Sequence, residues 1–305
     1  MIKVGILGGE CETGGELLRL LVNHPDVVLK QCSGKRNVGK PVQDIHYGLI
    51  GETELHFSQK LDFDKLDAVF VCEDSEESHA LFESADNYPE LRIIDLTRTP
   101  HPEKDGYVFG LSEIYRKPMV RGAKRAVLPY PEESAALIML YPLAANLVLD
   151  GDIDIDITMP EERIPAERLA DSGVHIANHL RLAQMSFNGN IRFNPTVDTS
   201  SHSVIRIHVE LPLSMSYEDI LSIYDNIYDD HNFTFMVRGK VSEQEVAGTN
   251  KCIISISKPA PERAEIEAVI DGNMRGGAGE ALHAFNLLFG LHERTALALK
   301  AIYDR

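Results

Sequence analysis

Positive charge is scarce in this sequence: 30 lysines and arginines stand against 47 aspartates and glutamates over 305 residues, a formal charge of −17. A nucleic-acid surface would work against the long-range field of the whole chain, so DNA or RNA binding is not expected. Cysteine is sparse too. Its four copies, Cys11, Cys32, Cys72 and Cys252, are widely spaced without a CxxC pair, which excludes a disulfide-stapled secreted scaffold and points to reduced thiols in a cytoplasmic protein. A long apolar run is missing: the nearest approach, Ala135 to Leu149, is broken by Pro142 and Asn146, so no membrane association is expected. Repeats and low-complexity tracts are absent, and the N-terminus reaches the pair Gly8-Gly9 before a signal-peptide core could form. What remains is 44% hydrophobic, enough for two domains with a sizeable core.

Short β-rich runs alternate with helical patterns through the first half: Lys3 to Leu7, Val27 to Cys32, Ala68 to Cys72, Arg92 to Leu96 and Arg125 to Leu128. Strands separated by helices predict an α/β fold with a parallel sheet covered on both faces. From about Gly151 the texture changes to strict alternation, as in Asp152-Ile153-Asp154-Ile155-Asp156-Ile157 and Val204 to Val209. That period of two predicts a mainly antiparallel sheet with one wet face. Phe233 to Val237, Cys252 to Ser257 and Ala264 to Ile270 read as further strands, Gly279 to Leu288 and Glu293 to Tyr303 as helices, and Pro160 to Ser172 as a surface excursion. The row Asp152, Asp154, Asp156 reads as a solvated strand face or, alternatively, as a cation site.

The first strand enters Gly8-Gly9-Glu10-Cys11-Glu12-Thr13-Gly14-Gly15-Glu16 and then the helical Leu17 to Leu21. A strand, glycine turn and helix N-terminus can cradle a pyrophosphate, with Gly8, Glu10, Cys11, Thr13 and Gly14 as the candidate contacts. Cys11 stands where a phosphate fingerprint has its middle glycine, and Glu10 and Glu12 add negative charge. Thr13 and Glu16 read equally as a capping box that starts the helix. After the second strand the chain has Ser33-Gly34-Lys35-Arg36, where NAD-binding folds place an acid. Ser33, Lys35 and Arg36 there favour NADP, or are ordinary solvated side chains.

Several segments together resemble the N-acetyl-γ-glutamyl-phosphate reductases of the semialdehyde dehydrogenase family. They are Gly14-Gly15-Glu16-Leu17-Leu18-Arg19-Leu20-Leu21 with Asn23-His24-Pro25, Asn37 to Val42, Ile94-Asp95-Leu96-Thr97, Phe109 to Arg116, Gly248-Thr249-Asn250-Lys251-Cys252, and Asp271 to Leu282 ending in Phe285-Asn286-Leu287. They occur in order over almost the whole chain. The resemblance implies a Rossmann-type domain (1–147), an α+β substrate and dimerisation domain (148–270), and a C-terminal segment (271–305) packing back on the first. It also implies arginine biosynthesis, a small-molecule substrate, NADP(H) and a homo-oligomer.

The family chemistry needs a cysteine at a helix start. Its thiolate attacks an acyl phosphate, and hydride from NADPH reduces the resulting thioester. Aligned backward from Tyr141-Pro142-Leu143, the family's Asn-Pro-Gly-Cys-Tyr-Pro-Thr falls on Leu128 to Ser134 and puts Pro131 at the cysteine position. Proline has no nucleophile. Ser134, one turn on, is a poor substitute, because a seryl oxoester accepts hydride less readily than a thioester. The family's histidine acid/base matches His175, without the carboxylate beyond it. His179 shares a helical face with His175, yet no third ligand accompanies the pair and no metal is expected. A substrate-binding arginine falls at His202. Arg275, at the family's lysine, and Gly276 are expected near an anion. The chain is therefore expected to be a degenerate binding or regulatory paralogue; the alternative is an active NADP-dependent oxidoreductase using a non-cysteine mechanism.

Overall fold

Ile2–Leu7 forms β1, an inner strand of a seven-stranded sheet completed by β2 (Val27–Ser33), β3 (Phe57–Ser58), β4 (Ala68–Val71), β5 (Arg92–Asp95), β6 (Val108–Phe109) and β7 (Arg125–Val127). The order is β3-β2-β1-β4-β5-β7-β6, and every neighbouring pair is parallel. Such strands are covered on both faces, so they carry continuous apolar runs like the wholly buried Ala-Val-Phe-Val of β4. The computed structural model describes residues 1–98, 106–160, 165–200 and 202–301. Among these the α-helices are α1 (Glu12–Leu21), α2 (Glu76–Glu83), α3 (Ser112–Val120), α4 (Pro131–Ala145), α5 (Ala166–Ala183), α6 (Tyr217–Tyr228) and α7 (Gly279–Leu288).

The backbone divides into two units, Met1–Pro129 with Gly277–Ala298, and Tyr130–Gly276 with Leu299 onward. In the first, α1 buries Leu17, Leu18, Leu20 and Leu21. The C-terminal α7 is buried along its whole length. Its Phe285 ring lies 5.5 Å from Phe70 and 5.9 Å from His24, and Arg92 bonds the Leu288 carbonyl at 3.1 Å while covering Phe289.

The second unit holds β8 (Ile153–Met159), β9 (Ile191–Val197), β10 (Val204–Leu211), β11 (Thr234–Val237), β12 (Cys252–Ala260) and β13 (Arg263–Asp271), in the order β11-β12-β13-β10-β8-β9. Its four central strands pair antiparallel, while β9 and β11 join the edges in parallel. The aspartates of β8 and the residue before it line the wet face. Arg192 bonds Asp152 and Asp154 at 2.8 Å each, and Asn194 bonds Asp156 at 3.1 Å, so the row is a solvated strand face with partners on β9.

Helix α4 is apolar all round and almost wholly buried. Pro142 within it has no N–H for the Ile138 carbonyl, one turn earlier, and the Tyr228 hydroxyl donates to that carbonyl instead at 2.7 Å. The Tyr224 hydroxyl donates to the neighbouring Met139 carbonyl at 2.5 Å.

Three expectations need correction. The units part at Pro129 rather than at 147, because α4 belongs to the second unit, where it packs against α5, β10 and β13. The excursion expected over Pro160 to Ser172 lies partly outside the described residues, and from Ala166 it is helix. The helix expected at Glu293 to Tyr303 is instead a run of turns over 293–297, where Ala296 takes φ +57° and cannot continue a right-handed helix; residues 302–305 lie outside the described residues.

Candidate functional site: the glycine turn and the head of helix α4

The strand order reverses between β1 and β4, and the glycine turn sits at the carboxyl end of β1 beside that point, where open parallel sheets take their ligands. Gly8 has φ +83° and Glu73 Cβ lies 2.4 Å from where a Gly8 Cβ would stand. A Cβ on Gly14 would meet Gly9 Cα at 2.7 Å and the Gly8 oxygen at 2.8 Å, so glycine is required for α1 to approach the turn. Ser33 fixes the turn through its Oγ to the Gly8 N–H at 3.2 Å and its carbonyl to the Gly9 N–H at 2.9 Å.

Cys11, not Thr13, caps α1: its sulfur accepts the Gly14 N–H at 3.3 Å. Glu16 pairs instead with Arg19 at 2.8 Å, so the expected capping box does not form. A hydrogen bond from the Cys72 thiol, aided by the Gly14 and Thr13 N–H groups against burial and Glu73, brings the Cys11 thiol down to about 7. Burial pushes Cys32 up to about 12. Three thiols thus surround the turn, and Cys11 is the one poised as thiolate.

Glu10 reaches away from the turn to the end of β2. Its carboxylate accepts the N–H groups of Lys35 (3.1 Å), Arg36 (3.1 Å) and Asn37 (2.6 Å). Partial burial opposes ionisation, yet these donors hold the carboxyl below its ordinary value. Lys35 Nζ pairs with Glu73 Oε1 at 2.6 Å. The side chains of Lys35 and Arg36 are exposed.

In the second unit, Pro131 opens α4 and Tyr130 precedes it in extended backbone. The next two residues are glutamates with wholly enclosed side chains. Glu132 accepts from Arg168 Nε at 2.6 Å and a second time from Nη2, and from Ser172 Oγ at 3.0 Å. The Arg168 guanidinium also covers the Tyr130 ring at 4.3 Å. Glu133 accepts the Tyr130 N–H at 3.3 Å and stands 3.1 Å from His175 Nδ1. Arg168, Ser172 and His175 lie four and three residues apart on α5, so one face of that helix meets the head of α4. His175 keeps 45% of its side chain exposed, and the Glu133 carboxylate orients its ring.

Other expected residues are placed differently. Ser134 is completely buried, so its hydroxyl does not face an incoming substrate. Gly276 lies directly over Pro131, whose Cβ is 2.3 Å from where a Gly276 Cβ would be, and Arg275 is fully buried. His202 is exposed before β10. His179 follows His175 on α5, and among the described residues no three His, Cys, Asp or Glu side chains gather as a metal group. Sequence reasoning missed the carboxylate partner of His175, the Arg168–Glu132 pair, and Asp271, which accepts the Gly248 N–H at 2.7 Å and the Asn273 N–H at 2.9 Å. Helical spacing on α5 was the available signal for Arg168; nothing local marked Glu133.

The same architecture occurs in solved structures. Aspartate semialdehyde dehydrogenase II from Vibrio cholerae superposes with a TM-score of 0.69 at 12% identity, covering 95% of this chain and 99% of that one. Aspartate semialdehyde dehydrogenase with NADP from Candida albicans gives 0.61 at 11% identity, with 95% and 98% covered. At such identities the likeness concerns the fold. The profile described as "Semialdehyde dehydrogenase, NAD binding domain" matches residues 3–121. The N-acetyl-gamma-glutamyl-phosphate reductase of Parabacteroides distasonis is 32% identical over 322 residues, 98% of this chain and 99% of that protein. That of Azobacteroides pseudotrichonymphae is 33% identical over 318 residues, 99% of each. The chain belongs to the N-acetyl-γ-glutamyl-phosphate reductase family. Within this semialdehyde dehydrogenase-type fold, the glycine turn belongs to the family's NAD-binding domain. Among the described residues no helix is long and apolar enough to cross a membrane.

Proposed function

We propose that this family member does not run the thioester reaction and acts as a binding or regulatory paralogue that takes a nicotinamide dinucleotide and a small carbonyl-type ligand. One observation carries the reading: the head of α4 presents Pro131, a saturated ring with no attacking atom, packed under the Gly276 backbone. The neighbouring groups support it. Glu132 and Glu133 are engaged with Arg168 and His175, and their negative charge lies at the helix end that would otherwise favour an acyl phosphate. The second unit's own cysteine, Cys252, is buried on β12. Incubation with N-acetyl-γ-glutamyl phosphate and either NADH or NADPH is expected to give no oxidation of the cofactor and no release of phosphate. Turnover that disappears when the four cysteines are replaced by serine would restore the reductase reading.

The Glu133–His175 pair favours a second reading, proton transfer to a carbonyl reduced without a covalent intermediate. His175 would donate the proton and Glu133 would hold its ring; a nicotinamide dinucleotide would supply the hydride when bound. Loss of any measured carbonyl reduction in His175→Asn, with ligand affinity kept, is the expected result under that reading.

A further inference from the structure

We propose that the three N–H groups at the end of β2 form an anion nest whose resident ligand is this chain's own Glu10, and that Glu10 makes the glycine turn refuse a dinucleotide carrying a 2′-phosphate. The inference deepens the dinucleotide part of the proposed function and is independent of Pro131. Consecutive backbone N–H groups pointing to one spot make a concavity suited to an anion. Here the N–H groups of Lys35, Arg36 and Asn37 meet on one carboxylate at 2.6 to 3.1 Å. The loop is shaped to that guest: a Cβ on Gly34 would stand 2.6 Å from the Glu10 carboxyl carbon, so a side chain there would displace it.

The location gives the nest its meaning. In dinucleotide folds the end of the second strand receives the adenosine ribose, with an acid for a 2′-hydroxyl and a cation for a 2′-phosphate. Glu10 brings an acid to that place from the glycine turn rather than from β2 itself. A phosphate dianion cannot share the three donors with a carboxylate, and like charges in contact repel. The Lys35 ammonium is held by Glu73 at 2.6 Å. A ribose diol, by contrast, is neutral, meets no such repulsion, and brings hydroxyls that can share the carboxylate oxygens with the nest donors. The residues therefore fit a 2′-hydroxyl and do not fit a 2′-phosphate, despite the basic residues Lys35 and Arg36.

The test is a calorimetric titration of the full chain with NADH and with NADPH, for the wild type, Glu10→Gln and Glu10→Ala, with circular dichroism to confirm that each variant is folded. Glu10→Gln keeps the side chain's shape and removes its charge. Both variants are expected to bind NADPH at least tenfold more tightly than the wild type, while NADH affinity does not rise in either and falls in Glu10→Ala, which loses the acceptor for the ribose diol. Three results would overturn the proposal: a wild type that prefers NADPH, variants that gain equally for both cofactors, or folded variants that bind neither. Phosphate-dependent turnover by a wild type that prefers NADH would instead defeat the proposed function and leave this inference standing.

Discussion

Glu132 shows how one residue's environment dictates its partners. A wholly enclosed carboxylate loses its hydration and is tolerated when paired and hydrogen-bonded, as here by Arg168 and Ser172. Removing the cation alone leaves the charge stranded. Arg168→Met is therefore expected to lower the unfolding free energy by about 3–5 kcal/mol, read from urea denaturation. Adding Glu132→Leu should recover most of that loss, since the cost comes from the unpaired charge. A double variant as unstable as the single one would show that packing against Tyr130, rather than charge, dominates.

At the scale of elements, α4 survives an internal proline because α6 brings hydroxyls to its carbonyls. Tyr228→Phe strands the Ile138 carbonyl in a buried setting and should cost about 1–3 kcal/mol in thermal or urea unfolding; a change below 0.5 kcal/mol would mean that another donor takes over. The elements also show what the chain discloses locally. Continuous apolar runs located β1, β4 and β5, the Ile/Asp alternation located β8, and α7 was legible as Gly279 to Leu288, the bounds observed. Strand β9 was not legible: it is an edge strand with a burial pattern dominated by exposed residues and with Pro195 inside it, so the period-two signal is missing. In the site, the glycine turn and Pro131 were visible because their signals are consecutive in sequence. Glu133 and His175 are 42 residues apart and Glu132 and Arg168 are 36 apart, and no local pattern encodes such pairings. Glu10 was visible as a charge near the turn, but its seat on the 35–37 backbone depends on how β2 ends.

For the whole molecule, acid is the natural probe of a chain with formal charge −17. In the first unit Glu293 ties the C-terminal segment to α7 and α3, accepting from His283 at 2.9 Å and pairing with Arg116. Although burial opposes ionisation, the His283 hydrogen bond and charge, with Arg116, bring its carboxyl down to about 2. A carboxylate lowered on folding contributes stability that is present above its ordinary value and lost as pH falls through the folded one. The stability difference between wild type and Glu293→Gln is therefore expected to be roughly 2 kcal/mol at pH 6 and to shrink steadily from about pH 4.5 toward pH 2. Urea unfolding at several pH values checks it; a difference independent of pH would remove the carboxylate from the account.

The discontinuity of the first unit bears on how the protein is made. His24 meets Asn286 across 262 positions and Arg92 meets Leu288 across 196, so on the ribosome the opening strands must wait, with α7's berth uncovered, until residues 279–288 have been made. The later-encoded second unit, whose stretch Tyr130–Gly276 is unbroken, can finish that stretch first. Birth order and folding order thus run opposite ways, and the nascent Rossmann half is the stretch most in need of a chaperone's shelter.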